Sequence, residues 1–501
     1  MSHPPDPVRR AAVYLLCCGL AVCLAYSAVA QSAPRSEASH QSALPADAVT
    51  TQTLSLPDRT VHFIATAGAI TLTDPEGTPQ VAVAFIAYQL EGVAPETRPV
   101  TFVLNGGPGV ASAWLHLGMM GPWRLPMDGA AAAPSAPPLL LDNDGTWLDF
   151  TDLVFIDPVG TGYSRLLARS DDLRRSVWSV RGDIDSIAGT IRHWLQDNQR
   201  FVSPKFIVGE SYGGFRAPLL ARVLAERQGV GISGLVLISP ALDFGGRSDA
   251  FDPLTPAELL PSLTAVARAA KGPVTREALA DAEAYAAGEY LVDLVKGNED
   301  ADAVARRSAR VAALTGLDPA LVRRHRGVIG TREFLQEFRS ADSRIGSAYD
   351  ATVSVPDADP QSAFDGGPDP LRDAMVAPLT SAMLDLYARR LHWQPDGQYQ
   401  LMNLALNRQW DYGRGNPRPE SASDLRAALA FDSHLRVVVA HGLYDLVTPY
   451  FRTKLILDQT ERDAGGNRVR FAVYPGGHMF YTRDASRAAL REAVLPLYQP
   501  D

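Results

Sequence analysis

Cysteine is nearly absent from this chain of 501 residues: there are three, Cys17, Cys18 and Cys23, all within the first thirty positions. No disulfide framework can therefore hold the rest of the molecule together, so its stability must come from core packing. No His/Cys ligand cluster at fixed spacing occurs, and no phosphate-binding loop opens a helix, so neither a metal nor a cofactor is expected. Basic charge is also scarce. With 47 Lys and Arg against 56 Asp and Glu the net charge is −9, which argues against a nucleic-acid footprint or a basic membrane patch. What is present is 46% apolar and 21% charged, a composition that excludes disordered and fibrous classes. The length suits one large core with an elaboration, or two domains.

The cysteines fall in a stretch with its own logic. Arg9 and Arg10 precede an apolar run from Ala11 to Tyr26, and Ala28-Val29-Ala30 follows, the pattern of a secretory signal peptide over residues 1–30. Cleavage before Gln31 would leave a cysteine-free chain in a periplasmic or extracellular compartment, with no stable membrane association. The alternative is an uncleaved anchor through residues 11–30, since the run is nearly long enough to span a bilayer. Lipid modification of Cys23 is disfavoured by Val22, where processing wants a small residue.

Residues 31–50, rich in Ser, Ala and Pro, read as a flexible linker. From Gln52 to Leu90, alternating runs such as Val61–Ala65 and Val81–Tyr88 predict antiparallel strands. Continuous apolar runs at Val100–Leu104, Leu153–Ile156, 205–208 and 235–238 predict buried strands, with an amphipathic helix over 183–196 and a helix over 215–228 between them. Strand, helix, strand is the repeating unit of a parallel sheet covered on both faces. Asp128–Pro138 and Pro356–Pro370 read as loops. The strand rhythm lapses over 244–390, where helical stretches such as 275–296 and 331–338 predict a helical cap insertion, and it returns at 435–440 and 470–474. The expected organisation is thus a mostly parallel sheet with helices on both faces, its core segments 51–243 and 391–501 lying around the cap.

The chain is organised around Gly209-Glu210-Ser211-Tyr212-Gly213-Gly214, between a strand and a helix. Gly-x-Ser-x-Gly in that setting is a nucleophile elbow, whose tight turn presents the serine hydroxyl at the sheet edge for acyl transfer through a covalent ester. Serine needs a base, and the base needs a carboxylate to fix its tautomer. Asp445 and His478 each follow a predicted strand in glycine-containing loops, in the chain order Ser, Asp, His of α/β-hydrolases. His441 is the competing base, but it sits four residues before Asp445 on the same loop. His116 and His193 lack a strand-end context. The backbone N–H of Tyr212, just after the nucleophile, provides one oxyanion donor. The second is expected from the loop Asn105-Gly106-Gly107-Pro108-Gly109, where Gly106 and Gly107 allow close approach to substrate, and Gly107 is the choice.

Together, Asn105–Gly109, Asp157-Pro-Val-Gly-Thr-Gly-Tyr-Ser164, Gly209–Gly214, Asp445 and Gly477-His-Met479 resemble the serine carboxypeptidases in order and spacing, over about residues 80–500 and least across 244–390. The resemblance implies removal of carboxy-terminal residues from peptides, with Asn105 and Glu210 holding the terminal carboxylate and Gly107 and Tyr212 forming the oxyanion hole. Glu210 could donate to a carboxylate only when protonated, because two ionised carboxylates repel, and sharing a proton would raise its pKa. Its alternative role is an ion pair with Arg216. Three departures stand out: Val103 where the family has Trp, Met119 where a second Glu falls, and Val110 where a Cys often follows, the last consistent with a bacterial branch lacking disulfides. Loss of the partner carboxylate puts the acid optimum and the strength of carboxylate recognition in question.

Other functions fit the same scaffold. An aminopeptidase resembling the proline iminopeptidases, an esterase or an acyltransferase would use the same triad, and an ionised Glu210 could attract an α-ammonium. A non-catalytic binding protein would be marked by a missing triad member, and none is missing. Side-chain preference is expected from the 244–390 insertion and the region of Trp410-Asp411-Tyr412, where Trp410 could equally be a packing residue.

Overall fold

The structure, a computed structural model, describes residues 44–127, 134–135, 138–168, 170–244, 252–359, 368–413, 419–460 and 468–499. The expected signal peptide and most of the linker lie outside these residues, as do most of the Asp128–Pro138 stretch and 360–367 of the Pro356–Pro370 stretch.

Nine strands form the path of the main sheet: β1 (Ala48–Ser55), β2 (Thr60–Thr73), β3 (Pro79–Leu90), β4 (Val100–Leu104), β5 (Asp152–Ile156), β6 (Lys205–Glu210), β7 (Gly234–Ile238), β8 (Arg436–Gly442) and β9 (Val469–Tyr474). Their spatial order is β1-β2-β3-β5-β4-β6-β7-β8-β9, and a short strand at Arg165–Leu166 pairs with β3. The first four neighbours run antiparallel; from β5 to β9 every pairing is parallel. A parallel sheet with an antiparallel edge and an exchanged β5/β4 pair is the α/β-hydrolase arrangement. β1 begins at Ala48, inside the stretch read as a linker: Ala48–Ser55 pairs residue by residue with β2, a partnership that its Thr- and Ser-rich sequence does not announce.

The continuous apolar character of the central strands has a plain cause. β4, β5, β6 and β7 are buried at every position, and successive side chains enter opposite layers. Val103, Val208 and Val236 join one core, while Phe102, Ile207 and Leu235 join the other. On the second face lie α1 (Val180–Asp197), with Ile184, Ile187, Ile191 and Leu195 buried, and α2 (Tyr212–Val223). α1 is entered through Ser179, whose hydroxyl accepts from the Gly182 N–H at 3.1 Å.

The insertion between β7 and β8 packs in two parts. Helices including α3 (Leu254–Ala269) and α4 (Ala301–Thr315) bury Leu260, Val266 and Val311 in a third core that also takes in Leu443 and Tyr444 of the loop after β8. α5 (Arg372–Arg389) instead sends Leu379, Met383 and Leu386 into the first core, beneath the sheet's own strands. The stretch predicted as helical over 275–296 is helical from Glu277 to Val295, in four short consecutive pieces with non-helical backbone at Gly288. α6 (Asp484–Val494) closes the chain against β8.

Candidate active site

Ser211 follows β6, Asn105 follows β4, and Asp445 and His478 follow β8 and β9, so all four stand at the carboxyl ends of parallel strands. That edge is where an open α/β sheet gathers residues distant in sequence. The elbow is formed as its sequence demands. Ser211 has φ +59° and ψ −118°, a strained conformation for a residue with a side chain. A Cβ on Gly209 would lie 2.1 Å from the Gly213 carbonyl oxygen, and one on Gly213 would lie 2.3 Å from that of Leu104. The turn can therefore close only with glycine at both positions.

Ser211 and His478 line one cavity of about 670 Å³, counted with its open mouth, together with Asn105, Gly106, Gly107 and Glu210. His478 Nδ1 stands 2.8 Å from Asp445 Oδ2. The same oxygen accepts from the Thr448 hydroxyl at 2.7 Å, and Oδ1 accepts from the Val447 and Thr448 N–H groups at 2.8 and 2.9 Å. Burial opposes the charge on Asp445, but the His478 interaction and the Thr448 bonds outweigh it and hold the carboxyl below its ordinary value. The imidazole is fixed through its backbone as well: the His478 N–H donates to the Tyr349 carbonyl at 2.5 Å, and the His478 carbonyl accepts from Ser239 Oγ at 2.8 Å. A carboxylate held ionised against Nδ1 sets the tautomer that leaves Nε2 as the base.

The oxyanion candidates lie against the elbow. Tyr212 opens α2, so its N–H is among the first-turn donors a helix leaves unpaired. A Cβ on Gly106 would stand 2.7 Å from both Ser211 Cβ and Tyr212 N, so this loop backbone touches the nucleophile turn. Gly107 takes φ +105° and lines the cavity.

Glu210 ends β6 fully buried. Its Oε2 accepts from Asn105 Nδ2 and its Oε1 from the Tyr481 hydroxyl at 2.9 Å, while Asn105 Oδ1 accepts from the Leu115 N–H at 2.9 Å. Burial pushes its pKa up to about 7. The alternative pairing with Arg216 is not formed. Arg216 is fully buried, its Nε donates to Asp183 at 2.6 Å and its Nη1 to the Asn105 carbonyl at 2.6 Å, so it braces the loop that carries Asn105. Met119 is buried in the turn His116–Met120 and does not line the cavity. The competing histidines are elsewhere. His441 is buried within β8, its pKa lowered to about 4 by burial; His116 bonds the Tyr88 hydroxyl at 2.8 Å in the core; His193 is exposed on α1. Trp410 donates to the Tyr212 hydroxyl at 3.1 Å, supporting the elbow from outside the cavity.

Three cavity or near-cavity residues escape sequence reasoning: Tyr481, Tyr349 and Arg372. Tyr481 had a usable signal, a hydroxylated aromatic three positions after His478 on the same loop. Tyr349 and Arg372 lie in the insertion with no motif around them.

Strand order, elbow and charge-paired imidazole define the class: an α/β-hydrolase with a serine-centred site. Residues 78–247 match the serine carboxypeptidase family. That stretch holds Asn105, the Asp157–Ser164 motif and Ser211; Asp445 and His478 lie beyond it. Serine carboxypeptidase-like 20 of Arabidopsis thaliana is 33% identical over 156 residues, 30% of this chain and 28% of that protein. Pheromone-processing carboxypeptidase kex1 of Talaromyces marneffei is 32% identical over 149 residues, 28% of this chain and 21% of that protein. The aligned part thus spans less than a third of either relative. Among solved structures, the peroxisomal alpha-beta-hydrolase Lpx1 of Saccharomyces cerevisiae is 13% identical, with a TM-score of 0.36 over 91% of this chain and 90% of that one.

Proposed function

We propose that the protein is a serine peptidase of carboxypeptidase type that releases carboxy-terminal residues from peptides through an acyl-enzyme on Ser211. The observation that carries this reading is the convergence of Ser211, the Asp445–His478 pair and the Asn105–Glu210 pair on one cavity. In the proposed cycle His478 takes the proton of Ser211 Oγ as that oxygen attacks the scissile carbonyl. The N–H groups of Gly107 and Tyr212 receive the developing oxyanion. His478 then returns the proton to the leaving amine, and a water deacylates the serine by the reverse sequence. Asn105 and protonated Glu210 receive the substrate's terminal carboxylate, and a pKa near 7 keeps Glu210 able to donate in neutral to acidic solution.

Export from the cytoplasm belongs to the same proposal. It rests on the pattern of residues 1–30. Among the described residues, no helix is long and apolar enough to cross a membrane. Amino-terminal sequencing of the secreted protein should begin at Gln31; an intact Met1 would favour the anchor.

A second reading, an esterase or acyltransferase, draws on the absence of a second carboxylate beside Glu210, where Tyr481 stands instead. Peptides blocked at one end or the other separate the readings. Cleavage of amino-terminally acylated peptides that is abolished by carboxyl-terminal amidation supports the carboxypeptidase. Survival of activity on the amide, with loss on acylation, supports an aminopeptidase, and turnover of simple esters with no peptide cleaved at either end supports the esterase or acyltransferase.

A further inference from the structure

The cavity beside Ser211 contains a charge that neither the motifs nor the triad accounts for. Of the described residues that line it, Arg372 alone carries a permanent positive charge. It is the first residue of α5, and its side chain is 30% exposed. It is also held still. Asp373 receives Nε at 2.6 Å and Nη2 at 2.7 Å, and Asp373 is itself fixed by the Asp369 N–H at 2.7 Å. Asp369 caps the start of α5 through the Leu371 and Arg372 N–H groups and accepts from Ser347 Oγ at 2.8 Å. The guanidinium carbon lies 5.3 Å from the centre of the Tyr349 ring, and that ring meets His478 edge-on at 5.3 Å. Asp373 uses two donors of the five-donor fork; the remaining N–H groups are available to another acceptor.

Elsewhere the described lining offers an anion hydrogen-bond donors but no permanent positive charge: Asn105 and Glu210 bond each other, Tyr481 bonds Glu210, and Met119, at the position of a second carboxylate, faces the core. Burying an ionised carboxylate without a charged partner is costly. We propose that Arg372 is a charged anchor for a substrate carboxylate in the Ser211 cavity, acting beside Asn105 and Glu210 as a specificity residue supplied by the insertion; this rests on the peptidase reading for its substrate class. The carboxylate is either the peptide's terminal group or an acidic side chain at its end, and the same fork serves both.

Binding to the Ser211→Ala protein tests this without turnover. Calorimetry would compare an amino-blocked dipeptide acid, its terminal amide, and an amide ending in aspartate. With Arg372 the acid should bind on the order of ten- to a hundredfold more tightly than the plain amide, the range expected for charge-assisted hydrogen bonds. R372Q should collapse that preference to about threefold or less, and R372K should restore much of it. D373N, which frees the fork, should move the preference the other way, whereas a purely structural Arg372–Asp373 pair would make both variants lose it. If the aspartyl amide behaves like the acid, the side chain is the carboxylate recognised; if it behaves like the plain amide, the terminus is. An acid preference equal in Arg372 and R372Q proteins overturns the proposal. Failure of the hydrolase reading would look different: no covalent labelling of Ser211, with the Arg372-dependent preference intact.

Discussion

The loops at the carboxyl edge of the sheet and the insertion between β7 and β8 both reach the cavity, but they encode their contributions in different ways. Ser211, Asp445, His478 and Asn105 each follow a strand, and glycine near each of them marks a backbone that must turn sharply or touch its neighbour. Tyr349 and Arg372 reach the same cavity from a segment with no repeating pattern, positioned by a chain of side-chain bonds through Asp369 and Asp373. On the proposed reading, chemistry is specified locally and selectivity by assembly. Damage to the first region should abolish turnover; damage to the second should alter only which substrate is chosen.

The largest expected effects fall on the sheet edge. Ser211→Ala should lower kcat by a factor on the order of 10⁶, as loss of a serine nucleophile does elsewhere, with the thermal midpoint nearly unchanged because alanine fits the elbow. Asp445→Asn should cost about 10⁴-fold in kcat, since the amide no longer fixes the imidazole tautomer. A rate within tenfold of the original in either variant would break the comparison. Next comes Arg216→Met, which leaves Asp183 buried without its cation and removes the bond to the Asn105 carbonyl. It should reduce unfolding free energy by about 3–5 kcal/mol in denaturant titrations.

Glu210→Gln sharpens the contrast with a smaller effect, through pH. The Glu210 pKa of about 7 lies above its ordinary 4.5, so the folded state holds this proton more tightly than the unfolded chain does. Its contribution to stability is full below about pH 4.5 and is lost as pH rises through 7. Thermal midpoints of the wild type should therefore fall relative to Glu210→Gln over that window. In parallel, KM for free-acid peptides should rise above pH 7 in the wild type and stay flat in the variant. Parallel profiles in the two proteins would contradict the assigned ionisation.

The sequence made the parallel sheet legible because its central strands are buried on both faces and read as unbroken apolar runs. It made the elbow legible because a glycine lattice leaves no other solution. The start of β1 was missed because an edge strand half open to solvent needs no apolar alternation, so Ala48–Thr50 read as tether. The Arg372–Asp373 brace was not legible, since it joins residues whose neighbours carry no periodic or motif signal. Only the folded arrangement shows that Arg216 turns to Asp183 and leaves Glu210 to Asn105.

The central claim is that the sheet-edge loops make Ser211 a base-activated nucleophile. Treatment of the folded protein with a fluorophosphonate, followed by peptide mass spectrometry, tests it directly. The account predicts a single adduct on Ser211 that is lost from unfolded protein and strongly slowed in His478→Ala. An unlabelled Ser211 in folded protein, or labelling indifferent to His478, would contradict it.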